Sequence, residues 1–248
     1  MPSSLTSIPV VVPHGKFFLR GAHKFFVKAV RLEGPIVVSD FDQKLRTLVR
    51  LEELYRDHTT ALVLSEEQAE AAIDLAALGG LYVLVELTVD LEQLLTRRGL
   101  RGAEAWIEAA VHSLGGRTGL LGFLIDCPIA EGTLHAYGIK PIREGLRRLL
   151  RTIRDAGFAA GIHHRIETRA LALGEEDFIY SDASGLSPAE LRDYLAAMHN
   201  VADARPVIIE FQRSSPGGDE LIATAFGMGA AGVVEPAVSA AAAPYARL

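Results

Sequence analysis

The chain has 248 residues, of which 49% are hydrophobic and 23% charged, an ordinary globular composition that suits one large α/β domain or two small ones. Its formal net charge of -6, with no block of Lys or Arg, excludes nucleic acid as an expected partner, because phosphate binding needs a basic face. The single cysteine, Cys127, excludes an internal disulfide, and the absence of a ~20-residue apolar run or a signal-like start predicts a cytoplasmic protein with no membrane span.

The first apolar runs of the chain predict a β-hairpin that leads into a longer strand. Residues 10–12 and 17–19 flank a Gly-containing turn, and the run 25–32 follows a second such turn. Short apolar runs separated by turns of this kind are typical of hairpins. We therefore predict a hairpin segment over residues 1–24.

After residue 25 the pattern alternates between amphipathic helices and short apolar runs. Leucines at 45, 48, 51 and 54 recur at the helical period. Ser65 and Gln68 have the spacing of a capping box, which predicts a helix N-terminus. Helices are predicted over 43–58, 65–78, 103–114, 140–156, 187–200 and 219–228, and strands over 25–32, 60–64, 81–89, 120–127, 158–163, 177–181, 206–211 and 231–234.

Eight apolar strands that alternate with helices favour a closed parallel barrel. The strands are nearly continuous apolar runs, as in a parallel sheet covered on both faces. An open doubly wound sheet is the alternative, but residues 31–35 (RLEGP) stand where its Gly-rich phosphate loop should follow the first strand. We predict an α/β fold: a single (β/α)8 TIM barrel over 25–236 with an N-terminal β-hairpin, followed by a loosely packed tail over 237–248.

Function in such a barrel is expected at the carboxyl ends of the strands. Glu210 stands out there, because it directly follows three buried aliphatic residues and a carboxylate buried without a partner would be costly. The other strand-end residues are candidates for binding, although charges at such positions also occur simply as solvated loop residues. These candidates are Glu33, Glu86, Asp126, Cys127, His163, His164, Asp182 and Glu235, with Tyr180 and Phe211 as aromatic surfaces for a sugar. We expect the acids Glu33, Glu86, Asp126, Glu210 and Glu235 to converge in one cleft and to raise at least one of their pKa values by mutual repulsion.

Several segments resemble barrels related to glycoside hydrolase family 2, in the same order and spacing. The segments are 15–18 (GKFF) with 24–30 (KFFVKAV), 75–85 (LAALGGLYVLV), 120–125 (LLGFLI) and 205–211 (RPVIIEF). In the family the last two correspond to the fourth strand, which ends in Asn-Glu, and to the seventh strand, which carries the nucleophile. Barrels of this kind also occur beside glycosyltransferases in exopolysaccharide assembly proteins.

The resemblance implies that Glu210 is the nucleophile and that the acid/base glutamate has been replaced. That glutamate and its Asn partner should stand at Cys127 and Asp126, and a thiol is a poor general acid for a sugar oxygen. The retaining mechanism needs two carboxylates ~5–5.5 Å apart. Shifting the alignment by one residue makes Asp126 the acid/base, but also turns its side chain to the other face of the strand. Glu131 and Glu86 are further alternatives.

Two other features of the family are missing from the sequence. The arginine that usually follows the second strand is absent from residues 62–66, and the aromatic residue that closes the eighth strand is absent around 233–236. We therefore predict a glycoside-hydrolase-like barrel with little or no turnover, a pseudoenzyme that binds a β-linked glycan or a glycosyltransferase-associated protein in polysaccharide assembly. An active retaining glycosidase or transglycosylase with Glu210 and Asp126 as its catalytic pair, and a protein-interaction scaffold, remain as alternatives.

Metal and thiol chemistry are not expected. The histidine pair 163–164 together with Glu86, Asp126 and Cys127 matches no zinc-binding spacing, and adjacent strand residues point to opposite faces. A nucleophilic Cys127 would need a neighbouring base, and a lone buried cysteine is more often inert. We expect no metal and no cofactor, and the sequence does not indicate an oligomeric state.

Overall fold

The computed structural model describes residues 8–32, 34–36, 38–129, 136–164, 175–211 and 218–235. They form a three-stranded antiparallel sheet followed by eight parallel strands that close into a barrel, which confirms the predicted (β/α)8 fold with an N-terminal hairpin. The strands are β1 Val11–His14, β2 Phe17–Arg20, β3 His23–Phe25, β4 Val27–Arg31, β5 Ala61–Ser65, β6 Tyr82–Thr88, β7 Leu120–Asp126, β8 Ala160–His164, β9 Phe178–Asp182, β10 Val207–Glu210 and β11 Gly232–Glu235. The helices are α1 Phe41–Arg56, α2 Glu66–Leu78, α3 Leu91–Leu95, α4 Arg97–Leu114, α5 Ile139–Asp155, α6 Pro188–Ala202 and α7 Gly218–Gly227.

The barrel closes where its last strand pairs with its first. The strand order is β10-β11-β4-β5-β6-β7-β8-β9, and β11 lies parallel to β4 with Gly232 opposite Val27 and Glu235 opposite Val30. Closure leaves the barrel sheet without an unpaired edge, which removes the open doubly wound alternative. None of the helices among the described residues is long and apolar enough to cross a membrane.

The N-terminal sheet packs against the amino-terminal end of the barrel. The ring of Phe18 lies 5.8 Å from that of Phe178, and the ring of Phe25 lies 4.9 Å from that of Tyr82. The Tyr82 hydroxyl also donates a hydrogen bond to the Pro9 carbonyl oxygen at 2.7 Å. These aromatic residues fill the barrel interior at its amino-terminal end. The carboxyl ends of the strands form the mouth at the opposite end.

Local sequence signals set several helix starts. The predicted capping box opens α2, where Ser65 Oγ accepts a hydrogen bond from the Gln68 amide and Gln68 Oε1 accepts one from the Ser65 amide. A second box, formed by Ser187 and Glu190, opens α6. Helix α4 begins at Arg97, earlier than residue 103, because Thr96 caps a polar first turn that has no apolar periodicity.

An extra residue in β7 decides which of its side chains face the barrel interior. Val83 of β6 pairs with Leu120, but Leu84 pairs with Gly122, so Leu121 is a bulge that resets the alternation of the strand. Beyond the bulge the odd-numbered residues pack beneath the helices. Alternation from there places Asp126 on the interior side, whereas Cys127 belongs to the core cluster beneath the helices.

Candidate functional site

Arg31, the last residue of β4, lies at the centre of a polar cluster at the mouth of the barrel. Its Nη1 donates a hydrogen bond to Glu86 Oε2 at 2.5 Å, and its Nη2 donates to the Tyr180 hydroxyl at 3.1 Å. The Arg31 side chain is 20% exposed. Arg31 is not among the site residues predicted from the sequence, since an arginine at a strand end is usually solvated. Arg31 therefore places a guanidinium at the mouth from the first barrel strand, whereas the arginine implied by the family resemblance would follow the second barrel strand.

Glu210, the last residue of β10, is held by three donors. Arg31 Nε donates to Glu210 Oε1 at 2.7 Å, and Arg31 Nη2 donates to Oε2 at 3.1 Å, so the guanidinium binds both carboxylate oxygens. The Tyr180 hydroxyl donates a further hydrogen bond to Oε2 at 3.0 Å. The buried carboxylate is therefore fully hydrogen-bonded, as its position in the sequence requires.

The imidazole of His163 lies between three carboxylates. Its Nδ1 is 3.4 Å from Glu86 Oε1 and 3.5 Å from Asp126 Oδ1, and its Nε2 is 3.5 Å from Glu210 Oε2. The ring packs edge-on against Tyr180 with centroids 4.8 Å apart. Within the described part of the chain, neither ring nitrogen has a hydrogen-bond partner.

Burial, Arg31 and His163 together set the electrostatics of the cluster. Burial alone would raise the pKa of Glu86, but contacts with His163 and Arg31 outweigh it and hold that pKa at about 2. Burial would also lower the pKa of Arg31, whereas Tyr180, Glu210 and Glu86 raise it above its ordinary value. Burial and the Glu210 charge raise the pKa of Tyr180 well above its ordinary value. The pKa of Glu86 is therefore lowered rather than raised, because an imidazole and a guanidinium lie against this carboxylate.

Five of the predicted site residues come together around Arg31. They are Glu86, Asp126, His163, Tyr180 and Glu210. Asp182 is the register partner of Glu210 at the rim, and its Oδ1 accepts a hydrogen bond from the Ser184 amide at 2.7 Å.

The remaining predicted residues lie elsewhere. His164 is on the other face of β8, with Nε2 3.1 Å from Glu176 Oε1. Glu235 follows Val234, whose side chain lies in the interior cluster, so alternation directs Glu235 toward the helices. Phe211 is buried in the core beneath the helices rather than at the mouth. Glu33 and Glu131 lie outside the described residues.

Cys127 is not suited to thiolate chemistry. It is buried, and burial together with the charges of Asp126 and Asp90 raises the pKa of its thiol to about 12. The thiol is therefore protonated at neutral pH. Because its side chain packs beneath the helices, the strand-end position that faces the interior is Asp126.

The comparisons with known proteins agree with this architecture. No family model and no curated protein matches the sequence. A GH2 β-galacturonidase from Eisenbergiella tayi, solved bound to galacturonate, superposes with a TM-score of 0.70 at 13% identity, over 92% of this chain and 46% of that one. The exo-β-1,4-mannosidase Op5Man5 from Opitutaceae bacterium strain TAV5 gives 0.68 at 12% identity, over 90% and 54%. The glycoside hydrolase domain of PgaB (BpsB) from Bordetella bronchiseptica gives 0.58 at 13% identity, over 85% and 93%.

The chain has a glycoside-hydrolase-like barrel. It spans about half the length of the β-galacturonidase and most of the length of the PgaB domain. At these identities the likeness concerns the fold alone. In this glycoside-hydrolase-like barrel the interior carboxylates at the ends of the fourth and seventh barrel strands are Asp126 and Glu210.

Proposed function

We propose that this glycoside-hydrolase-like barrel binds a β-linked glycan at the Arg31 cluster, with little or no hydrolysis, as part of polysaccharide assembly. The observation that carries the proposal is the environment of Glu210. Both oxygens of this carboxylate accept hydrogen bonds from Arg31 and Tyr180, and the group beside it is the imidazole of His163 rather than a carboxylic acid.

Hydrolysis of an unactivated glycoside needs a proton delivered to the leaving oxygen. Glu86, with a pKa of about 2, is ionised at neutral pH and has no proton to give. Tyr180 is fully buried with a pKa well above its ordinary value, and Cys127 lies beneath the helices. Asp126 is the remaining described carboxyl at the fourth strand, and its side chain is one methylene shorter than a glutamate. Natural glycans are therefore expected to be poor substrates.

The same residues are suited to binding sugars. Carboxylate oxygens accept hydrogen bonds from sugar hydroxyls, and the guanidinium of Arg31, which is partly exposed, donates them. Half-buried Asp182 adds a further carboxylate at the rim beside Glu210. The resemblance to barrels of exopolysaccharide assembly proteins, and the fold of the PgaB glycoside hydrolase domain, support a polymeric glycan as the ligand.

An active retaining glycosidase or transglycosylase is the second candidate. It is favoured by the placement of both carboxylates against the imidazole of His163, with Asp126 Oδ1 3.5 Å from Nδ1 and Glu210 Oε2 3.5 Å from Nε2. In this reading Glu210 is the nucleophile and Asp126 the acid/base. Aryl glycosides with good leaving groups separate the two candidates, because they need little protonation of the leaving group.

The test is a screen of β-linked oligosaccharides by calorimetry and by product analysis, with nitrophenyl β-glycosides alongside. We expect binding of an oligosaccharide without release of products, and at most slow cleavage of the nitrophenyl substrates. Glu210→Gln should weaken binding by about tenfold or more, whereas Glu52→Gln, on the exposed face of α1, should not. Rapid hydrolysis of a natural oligosaccharide would establish the second candidate. If the chain neither binds nor cleaves any of these glycans, the protein-interaction scaffold is the remaining candidate.

A further inference from the structure

We propose that Glu86, Asp126 and His163 form a binding site for one divalent transition-metal ion, of which Zn²⁺ and Mn²⁺ are the best suited. The three residues come from the carboxyl-terminal halves of β6, β7 and β8, three consecutive strands of the barrel. This inference goes beyond the proposed glycan binding and does not rest on it, since it is tested by metal binding alone.

The ligand atoms already have the separations of a small coordination sphere. His163 Nδ1 lies 3.4 Å from Glu86 Oε1 and 3.5 Å from Asp126 Oδ1. One atom from each residue can be chosen so that all three lie within 4.8 Å of one another. Ligands ~2.0–2.2 Å from a tetrahedral ion are roughly 3.3–3.6 Å apart. Two of the three separations match this range, and the third pair of ligand atoms lies within 4.8 Å.

The buried state of His163 independently points to a missing ligand. The residue is 7% exposed, and both of its ring nitrogens lack a hydrogen-bond partner among the described residues, as does Glu86 Oε1. Buried polar atoms of this kind are rare, because each forgoes its hydrogen bond to water. An ion between His163 Nδ1 and Glu86 Oε1 would satisfy both atoms at once.

The charge of the cluster favours a divalent cation. Glu86, Asp126 and Glu210 supply three carboxylates against the one guanidinium of Arg31, so two negative charges are in excess when His163 is neutral. Arg31 binds Oε2 of Glu86 and leaves Oε1 directed at the imidazole. Two carboxylates with one imidazole suit Zn²⁺ or Mn²⁺. Three protein ligands leave a position for water or a sugar hydroxyl.

The experiment is a titration of the chelator-treated full chain with ZnCl₂ and, separately, MnCl₂, followed by calorimetry. We expect one ion per chain for at least one of the two metals. Loss of residues behind a metal ligand costs ~10–100-fold in affinity, so His163→Gln and Glu86→Gln should each cost about 100-fold or more. His112→Gln, on the exposed surface of α4, is the control for adventitious histidine binding and should change nothing.

X-ray absorption of the Zn²⁺-loaded protein provides a second readout that does not depend on the variants. We expect one imidazole and oxygen ligands, with no sulfur at ~2.3 Å. Sulfur scattering would place the ion on Cys127 and overturn the proposal. So would the absence of stoichiometric binding tighter than about 0.1 mM by the unmodified chain, or equal affinity in both variants and the control. If His163→Gln fails to fold by circular dichroism, Glu86→Gln and the absorption spectrum decide.

Discussion

Arg31 and Glu210 are 179 positions apart in the sequence and form a two-point ion pair at the mouth of the barrel, with Nε–Oε1 at 2.7 Å and Nη2–Oε2 at 3.1 Å. The pair joins the first barrel strand to the seventh, on either side of β11. The same guanidinium also binds Glu86, so one cation holds two carboxylates from distant parts of the chain. The cluster therefore depends on Arg31 for both its geometry and its charge.

Replacing Arg31 by methionine should destabilise the protein strongly. The change leaves partly buried Glu86 and buried Glu210 without their cation, and breaking a buried pair by removing one partner costs roughly 3–5 kcal/mol. Arg56→Met removes an exposed ion pair with Glu52 on α1 and should change the free energy of unfolding by less than about 1 kcal/mol. Urea unfolding of the two variants measures the difference. Equal effects would show that the Arg31 pairs contribute no more than a surface contact.

The depressed pKa of Glu86 predicts acid sensitivity of the metal-free protein. In the folded state this pKa is about 2, below the ordinary value of 4.5. The unfolded chain therefore binds the proton more readily, so the stabilisation is complete above the ordinary pKa and is lost as pH falls toward about 2. Urea unfolding in EDTA between pH 6 and 2.5 should give a shallower pH dependence for Glu86→Gln than for the unmodified chain. Glu52→Gln should keep the steeper pH dependence of the unmodified chain. Identical slopes for all three proteins would contradict the lowered pKa of Glu86.

The thiol of Cys127 should be unreactive in the folded protein. Burial and two nearby carboxylates raise its pKa to about 12, so little thiolate exists at pH 8. Ellman's reagent at that pH should titrate less than a tenth of a thiol per native chain over minutes, and one thiol in urea. Rapid reaction of the native chain would place Cys127 in contact with solvent and contradict its packing beneath the helices.

Lengthening the carboxylate at position 126 should be more effective than rebuilding the family's Asn-Glu pair. Asp126→Glu extends a carboxyl on the interior face, and a working general acid contributes ~10²–10⁴-fold. Cys127→Glu with Asp126→Asn should instead bury a carboxylate among apolar side chains and lower stability. The readout is hydrolysis of the oligosaccharide found in the binding screen. Glu210→Gln in the Asp126→Glu background should abolish any gained activity, and greater activity in the double variant would refute the orientation of this strand end.

Two glycines provide a matched test of the packing in the barrel. A Cβ added at Gly161 on β8 would lie 2.4 Å from the ring of Phe178, which overpacks the interior. Gly161→Ala should therefore cost ~1–3 kcal/mol. At Gly102, in the middle of α4, the added atom meets nothing within 4 Å, so Gly102→Ala should stabilise the protein by ~0.5–1 kcal/mol. We expect thermal unfolding to show a stability change of opposite sign in the two variants, a loss for Gly161→Ala and a gain for Gly102→Ala.

Most of the fold follows from local signals, and part of the site does too. The apolar runs and the capping boxes at Ser65 and Ser187 arise within single segments, so they can be predicted without knowledge of any tertiary contact. Glu210 was identifiable for the same reason, since a carboxylate directly after a buried strand has to lie at its end. Arg31 was not identifiable, because its role consists of contacts with three other strands.

The sequence alone determined that eight apolar strands alternate with helices and that acids and histidines collect at their carboxyl ends. Only the tertiary structure decided which member of each adjacent pair faces the interior. His163 rather than His164 points inward because of the register of β8, and Asp126 rather than Cys127 does so because a bulge at Leu121 resets the alternation of β7. A bulge is a property of the pairing between two strands, and that pairing forms only when residues distant in the sequence meet.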